Sequence, residues 1–528
     1  TQGYLALSRL YAASGRDEQA MVRAQDALKV NPEDVPSLMI GALLHERAGR
    51  YEEARAWYEK VLKINPSFAP AANNLAYVLS EHFQDVSNAR KYAQNARDNA
   101  PQDPYIADTL GWILYRQGEY QWAISLLMES ADRLDDRPEY LYHLGMAQYS
   151  LGQEDAARRS FERALALSQD FAGMDEARRI LGILSTDMAG TEKPEDVQEK
   201  LAEHADSPAA LVRMGLIDEQ KGSLAEARSK YEQVLAANPK YVPGMVGLAR
   251  VLLMENREQT RAFELAKLAR SLAPKDPEAA AVLGRVALQQ ENYPWALSLL
   301  RESAPKLQDD PETQYQLGMA YYMMGHVDTA VQQARGALES GAAFHSADDA
   351  RLFVGLASPA TPGNEEADAQ KVLETRPGYL PALMARAAEL CNTKPEEAGA
   401  FYEKIIKIYP RFSPALRDSA WLSALTGKAD DAALSTATRA RDMLPEDPKA
   451  AGALGMLYQL KGNNVQASRL LQESVSSLPD IPILQYRLGM ARAAAGDKAS
   501  ARASLEKALQ LDPSSALAEE ARRILAGL

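Results

Sequence analysis

Six histidines, His45, His82, His143, His204, His326 and His345, are the side chains in this sequence best suited to hold a metal or relay a proton. They are scattered. No two lie at the spacing that puts both imidazoles on one face of a helix, so they supply no metal site. The one cysteine, Cys391, excludes an internal disulfide framework and a thiolate-rich centre. It reads as a small, half-buried side chain near the end of a helix. Gly427-Lys428 lacks the upstream glycine and the following Ser or Thr of a phosphate-cradling loop. There is no nucleophile elbow. Carboxylates are plentiful, but none stands out as a buried pair. The sequence therefore offers no catalytic residue, no cofactor site and no metal site, and function has to be sought on a surface.

The elements that would build such a surface repeat on two scales. Tyr142-His143-Leu144-Gly145-Met146-Ala147 recurs as Tyr315-Gln316-Leu317-Gly318-Met319-Ala320 and as Tyr486-Arg487-Leu488-Gly489-Met490-Ala491, at intervals of 173 and 171 residues. Inside each long interval runs a shorter one of about 34 residues. With Thr1 as position 1, the first unit carries Leu7, Tyr11, Gly15, Ala20, Ala27 and Pro32. The fifth carries Leu144, Gly145, Gly152, Ala157, Phe161 and Ala164. This is the pattern of a helical hairpin. Small residues at positions 8, 20 and 27 let two antiparallel helices approach closely. Bulky residues at 4, 7, 11 and 24 fill the space between hairpins. Glycine at 15 suits the positive φ at the end of the first helix, and proline near 32 ends the second helix or opens the next.

The pattern resembles the tetratricopeptide (TPR) repeat, in register over nearly the whole chain. The resemblance implies an all-α solenoid, a right-handed superhelix of about 15 hairpins. The long period divides it into three homologous blocks, 1–171, 172–344 and 345–528, with a C-terminal capping helix from about 516. One unit of each block, Ala69 to Asp103, Val242 to Asp276 and Ser413 to Asp447, is one residue too long, in the turn of its hairpin. That shared insertion points to one ancestral block, triplicated. The hairpin that opens the second and third blocks is degenerate. Its first helix survives as Asp175 to Leu181 and Asp348 to Leu352, followed by turn-rich Ser185 to Pro194 and Ser358 to Asn364. A continuous array with two irregular hairpins is expected, rather than beads on flexible linkers.

Composition fits stacked helices: 46% hydrophobic residues, with 72 acidic against 59 basic side chains and a net charge of −13. That balance argues against a nucleic-acid platform. Arg pairs such as Arg158-Arg159 alternate with carboxylates and read as solvated faces. No apolar stretch is long enough to span a bilayer. Thr1 is not a natural start, so the chain is expected to have been processed or trimmed.

The resemblance also implies where a partner would bind. First helices line the concave face of TPR arrays, with side chains at positions 2, 5, 9, 12 and 13 facing the groove. In the fourth unit these are Tyr105, Asp108, Trp112, Tyr115 and Arg116. In the fifth they include Tyr142, Met146 and Tyr149. In the second block they include Arg285, Tyr315, Met319 and Tyr322. The expectation is an aromatic strip that captures an extended or helical protein segment, with orientation from Asp108 and Arg116. The bland alternative is that the rings pack hairpin on hairpin.

The stretch from Ala71-Ala72-Asn73-Asn74-Leu75-Ala76-Tyr77 through Asp108-Thr109-Leu110-Gly111-Trp112 looks like long bacterial TPR proteins of envelope polysaccharide and exosortase (PEP-CTERM) systems. It implies a non-catalytic scaffold near polysaccharide assembly or export machinery; the compartment stays open, with periplasmic or outer-membrane-associated favoured over cytoplasmic. Two alternatives stay open. One is the TPR arm of a larger protein, an outer-membrane export porin or a glycosyltransferase. The other is a cytoplasmic chaperone adaptor, which would want Lys and Asn in the groove.

Overall fold

The computed structural model describes residues 1–186, 193–357 and 368–528. Ser358 to Asn364, and most of Ser185 to Pro194, lie outside the described residues. Among the described residues the chain forms 31 α-helices and no strand. It divides into two compact units, Thr1–Leu283 and Gly284–Leu528.

The first unit opens with five regular hairpins. They are α1 (Gln2–Ala13) with α2 (Asp17–Val30), α3 (Val35–Arg47) with α4 (Tyr51–Ile64), α5 (Ala69–His82) with α6 (Val86–Asn99), α7 (Pro104–Arg116) with α8 (Tyr120–Arg133), and α9 (Pro138–Leu151) with α10 (Glu154–Leu167). A shorter pair follows, α11 (Met174–Leu184) and α12 (Pro194–Ala202). Then come α13 (Pro208–Gln220) with α14 (Leu224–Ala237) and α15 (Val242–Met254) with α16 (Gln259–Leu272), and the division between the units falls within α17 (Pro277–Gln289). The second unit continues the same pattern to a last single helix, Ala516–Gly527.

Local chemistry sets the helix ends. Asp34 accepts from the Ser37 N–H, and Asp103 from those of Tyr105 and Ile106, so orphan donors of the first turn are satisfied. A proline at the first or second helical position starts many of the first helices. Several first helices lie on their own second helix through a glycine, whereas α1 and α5 carry Ser8 and Ala76 at that position. A Cβ on Gly111 would stand 2.8 Å from Leu127 Cγ and 3.3 Å from the Ala123 carbonyl oxygen. On Gly145 it would meet the Phe161 ring at 2.6 Å. The second unit repeats this with Gly455 against Leu471 and Gly489 against Leu505. Position 8 is therefore a hollow into which the position-24 side chain fits, and a methyl group there forces a shift.

Hairpin turns need a left-handed residue. Gly118 supplies it at φ +74°, whereas the corresponding position in the next block is Glu291, at φ +59°. The extra residue of the third hairpin shows in the same way, as Gln84 at φ +54° and as Asn256 and Glu258 at +52° and +46°. Successive first helices touch one another, α1 with α3, α5 with α7 and α7 with α9, while among the described residues no two successive second helices pack to that extent. The first helices thus form the inner face of the first five hairpins.

The irregular pair α11 and α12 is followed by a joint within the first unit. The end of α9 receives the start of α15. Tyr149 is 7% exposed and its ring meets the edge of Tyr241 at 6.1 Å. Its hydroxyl lies 2.8 Å from Ser207 Oγ and accepts from the Ala209 N–H at 3.4 Å. Gly152 permits the approach, since a Cβ there would fall 2.1 Å from Pro243 Cδ. Arg213, nearly buried, donates to both oxygens of Glu154, and the Tyr241 hydroxyl reaches the same carboxylate at 3.4 Å. The second unit builds the same joint from the corresponding residues. Tyr322 packs on Phe412 at 5.2 Å and on Phe353 at 5.0 Å. A Cβ on Gly325 would fall 2.4 Å from Ser413 Oγ.

Candidate partner-binding face

The inner face of the first five hairpins carries the side chains at position 9 of successive units: Leu43 on α3, Tyr77 on α5, Trp112 on α7 and Met146 on α9. Leu43 and Tyr77 are exposed, and Trp112 and Met146 half-buried. Tyr105, also exposed, stands edge-on to Tyr140 at 6.0 Å. The position-9 side chains fall in line because that position recurs at the same angle on each first helix, and Tyr105 lies at position 2 of the fourth unit.

Around Trp112 the strip is closed. Its ring is stacked on one side by Tyr115 at 4.6 Å and on the other by His143 at 4.1 Å. Its Nε1–H donates to Glu81 Oε1 at 3.2 Å. Trp112 therefore offers an edge, not a face, to a partner. Asp108 is 6% exposed, with both carboxylate oxygens 3.0 Å from His143 Nδ1. Arg116 donates to Glu81 at 2.7 Å and to Ser80 Oγ at 3.1 Å. The residues expected to orient a ligand, Asp108 and Arg116, are already engaged, the first by His143 and the second by Glu81 and Ser80. Tyr115 is half-buried, and burial pushes its phenol up, opposed by its bond to Ser150. Tyr142 is half-buried between Trp112, Phe161 and Phe171, against the backbone of Gly173.

Four expected groove residues, Tyr149, Tyr322, Tyr315 and Arg285, are buried instead. Tyr149 and Tyr322 were expected on an exposed wall, but both are buried at the joints, Tyr149 by Ser207 and Tyr241 and Tyr322 by Phe353 and Phe412. Tyr315 is 5% exposed and packs toward Phe344 within the core of the second unit. Met319 is half-buried against that same core. Arg285, also expected to face the groove, is 8% exposed and pairs with Glu312 at 3.5 Å.

Sequence reasoning missed Leu43, Tyr77, Glu46, Glu81, Tyr140 and His143. Leu43, Tyr77, Glu46 and Glu81 occupy positions 9, 12 and 13 of the second and third units, so the same positional rule, applied two hairpins earlier, finds them. Glu46 is half-buried. It accepts from the Tyr58 hydroxyl at 2.7 Å, and that hydroxyl accepts from Asn74 Nδ2 at 3.3 Å. Burial pushes the Glu46 carboxyl above its ordinary range, with the Tyr58 bond and His82 opposing. Among the described residues no group of three or more His, Cys, Asp or Glu side chains is placed to hold a metal ion. No helix there is long and apolar enough to cross a membrane.

A stack of helical hairpins with a side-chain-rich inner face defines a repeat scaffold. Tetratricopeptide repeat models match residues 5–69, 212–277, 138–171 and 482–515, so the chain carries tetratricopeptide repeats in both of its units. It is similar to TPR repeat-containing protein PA4667 of Pseudomonas aeruginosa, 30% identical over 144 residues, covering 27% of this chain and 24% of that protein. It is also similar to cellulose synthase operon protein C of Pseudomonas fluorescens, 23% identical over 363 residues, covering 60% of this chain and 26% of that protein. The chain thus spans about a quarter of the length of these relatives. Among solved structures it resembles TTC0263, a thermophilic TPR protein of Thermus thermophilus, with a TM-score of 0.29 and 20% identity, over 34% of this chain and 98% of that one.

Proposed function

We propose that this protein is a non-catalytic scaffold that holds a segment of a partner protein along the inner face of its first five hairpins, in bacterial envelope or exopolysaccharide assembly or export. One observation carries the reading. Leu43, Tyr77 and Tyr105 are exposed apolar side chains on successive first helices, on a face the hairpins leave uncovered. Large exposed apolar groups in line mark a binding surface more often than a solvated one. The likeness to cellulose synthase operon protein C supports the polysaccharide setting.

The test is a photo-crosslinking residue placed at Tyr105, on the inner face, or at Trp122, exposed on the second helix α8. In envelope fractions the reading predicts an adduct from Tyr105 with a component of the polysaccharide machinery, and none from Trp122. Adducts from Trp122 alone would move the binding face to the second helices. Adducts from Tyr105 with unrelated proteins would keep the scaffold and remove the polysaccharide role.

A further inference from the structure

The three blocks can be compared with one another, and one of their differences on the inner face concerns a charge. In the second block Glu219 accepts from the buried Tyr231 hydroxyl, as Glu46 accepts from Tyr58 in the first. Glu219 has a cation. Arg250 donates to it through Nε at 2.6 Å and through Nη2 at 2.8 Å, and a further guanidinium nitrogen lies 3.6 Å from Glu278. In the first block the residues at the positions of Arg250 and Glu278 are Tyr77 and Tyr105. Glu46 therefore keeps its carboxylate and its tyrosine but has no ion-pair partner among the described residues. The third block removes the requirement altogether. Leu390 stands where the carboxylate would be, Trp421 where the arginine would be, and Tyr402 turns its hydroxyl to Cys391 Sγ at 3.5 Å.

We propose that the Glu46 carboxylate, on the same inner face as the exposed rings of Tyr77 and Tyr105, is a receptor for an arginine side chain of the bound partner segment. This rests on the binding-face reading above and names the chemistry of its occupant. The incoming guanidinium takes the place that Arg250 occupies in the second block, donating two N–H bonds to the carboxylate. Its plane lies against a tyrosine face, an arrangement open to it because Tyr77 and Tyr105 are both exposed. Charge favours a cation here. Tyr77 is within electrostatic reach of Glu46, Glu81 and Asp108, and burial together with the charges of Glu81 and Glu46 pushes its phenol up. The nearby guanidinium, Arg116, is already held by Glu81 and Ser80. A half-buried carboxylate with a raised proton affinity regains its charge at least cost when a cation arrives with the ligand.

The experiment is selection of random 12-residue displayed peptides on the whole chain, followed by affinity measurement on the peptides recovered. Two variants discriminate. Tyr77→Arg installs the second block's own guanidinium opposite Glu46. Glu46→Gln removes the charge but keeps an acceptor for Tyr58. Thermal melts establish that both remain folded. The inference predicts peptides with a recurrent arginine, at least tenfold weaker when it is replaced by neutral citrulline, and at least tenfold weaker on either variant. Peptides that bind all three forms within twofold but are lost on Tyr140→Ala would overturn the arginine receptor and leave the binding face standing. Recovery of no peptide above an empty support would overturn both.

Discussion

Tyr149→Ala is the substitution on which the burial pattern and the repeat pattern disagree most sharply. As a groove residue it would leave stability within about 0.5 kcal/mol, the usual range for an exposed side chain. At the joint it removes a buried ring, and loss of a buried aromatic costs about 3–5 kcal/mol. Tyr149→Phe keeps the ring and removes the hydroxyl that bonds the fully buried Ser207. Leaving that serine without its partner costs about 1–3 kcal/mol. The edge-on pair with Tyr241 adds a coupling of about 0.5–1.5 kcal/mol, readable from a double-mutant cycle with Tyr241→Ala. Array stability is a sum over neighbours, so the loss should be local. Urea unfolding followed by circular dichroism gives the total. Hydrogen exchange then locates it, with faster exchange in 138–152 and 208–254 and little change in 1–64. Stability unchanged within about 0.5 kcal/mol for Tyr149→Ala, or a cycle with no coupling, would refute the joint.

Three further outcomes follow from the same packing. Ala123→Leu places a larger side chain at the contact beneath Gly111 and should destabilise by about 1–3 kcal/mol in thermal or urea unfolding. Glu291→Gly relieves a left-handed backbone at a non-glycine residue and should stabilise by about 0.5–1 kcal/mol, net of the entropy glycine loses on folding, as measured by a raised urea midpoint. Burial pushes the Glu312 carboxyl up, but Arg285, Gln316 and Ser346 outweigh it and hold the group below 4.5. Its contribution is therefore complete above pH 4.5 and lost as pH falls through the lower folded value, so Glu312→Gln should flatten that part of the acid limb of the stability curve.

The hairpin and its register were legible because their causes are local. Gly111 against Leu127, Gly118 at positive φ and the extra turn residue near Gln84 each depend on residues within one repeat. The joints were not legible in the same way. Tyr149 meets Ser207 and Tyr241, contacts made by a later block, and nothing at position 12 of its own unit distinguishes a tyrosine that will be covered from one that stays open. Trp112 sits at position 9 of a first helix, but its stacking with Tyr115 and His143 depends on ring orientations, which spacing does not carry. Glu46 and Tyr77 were within reach of the positional rule. They stand out only when the blocks are compared and the second is found to carry an arginine that the first lacks.

The most direct measurement of the binding account is a crystal structure of the chain with a selected arginine-bearing peptide. The account predicts the peptide along α3, α5, α7 and α9, in contact with Leu43, Tyr77 and Tyr105, with its guanidinium on the Glu46 carboxylate. A peptide lying on the second helices, or on the inner face with its arginine in solvent and Glu46 still bonded to Tyr58 alone, would contradict it.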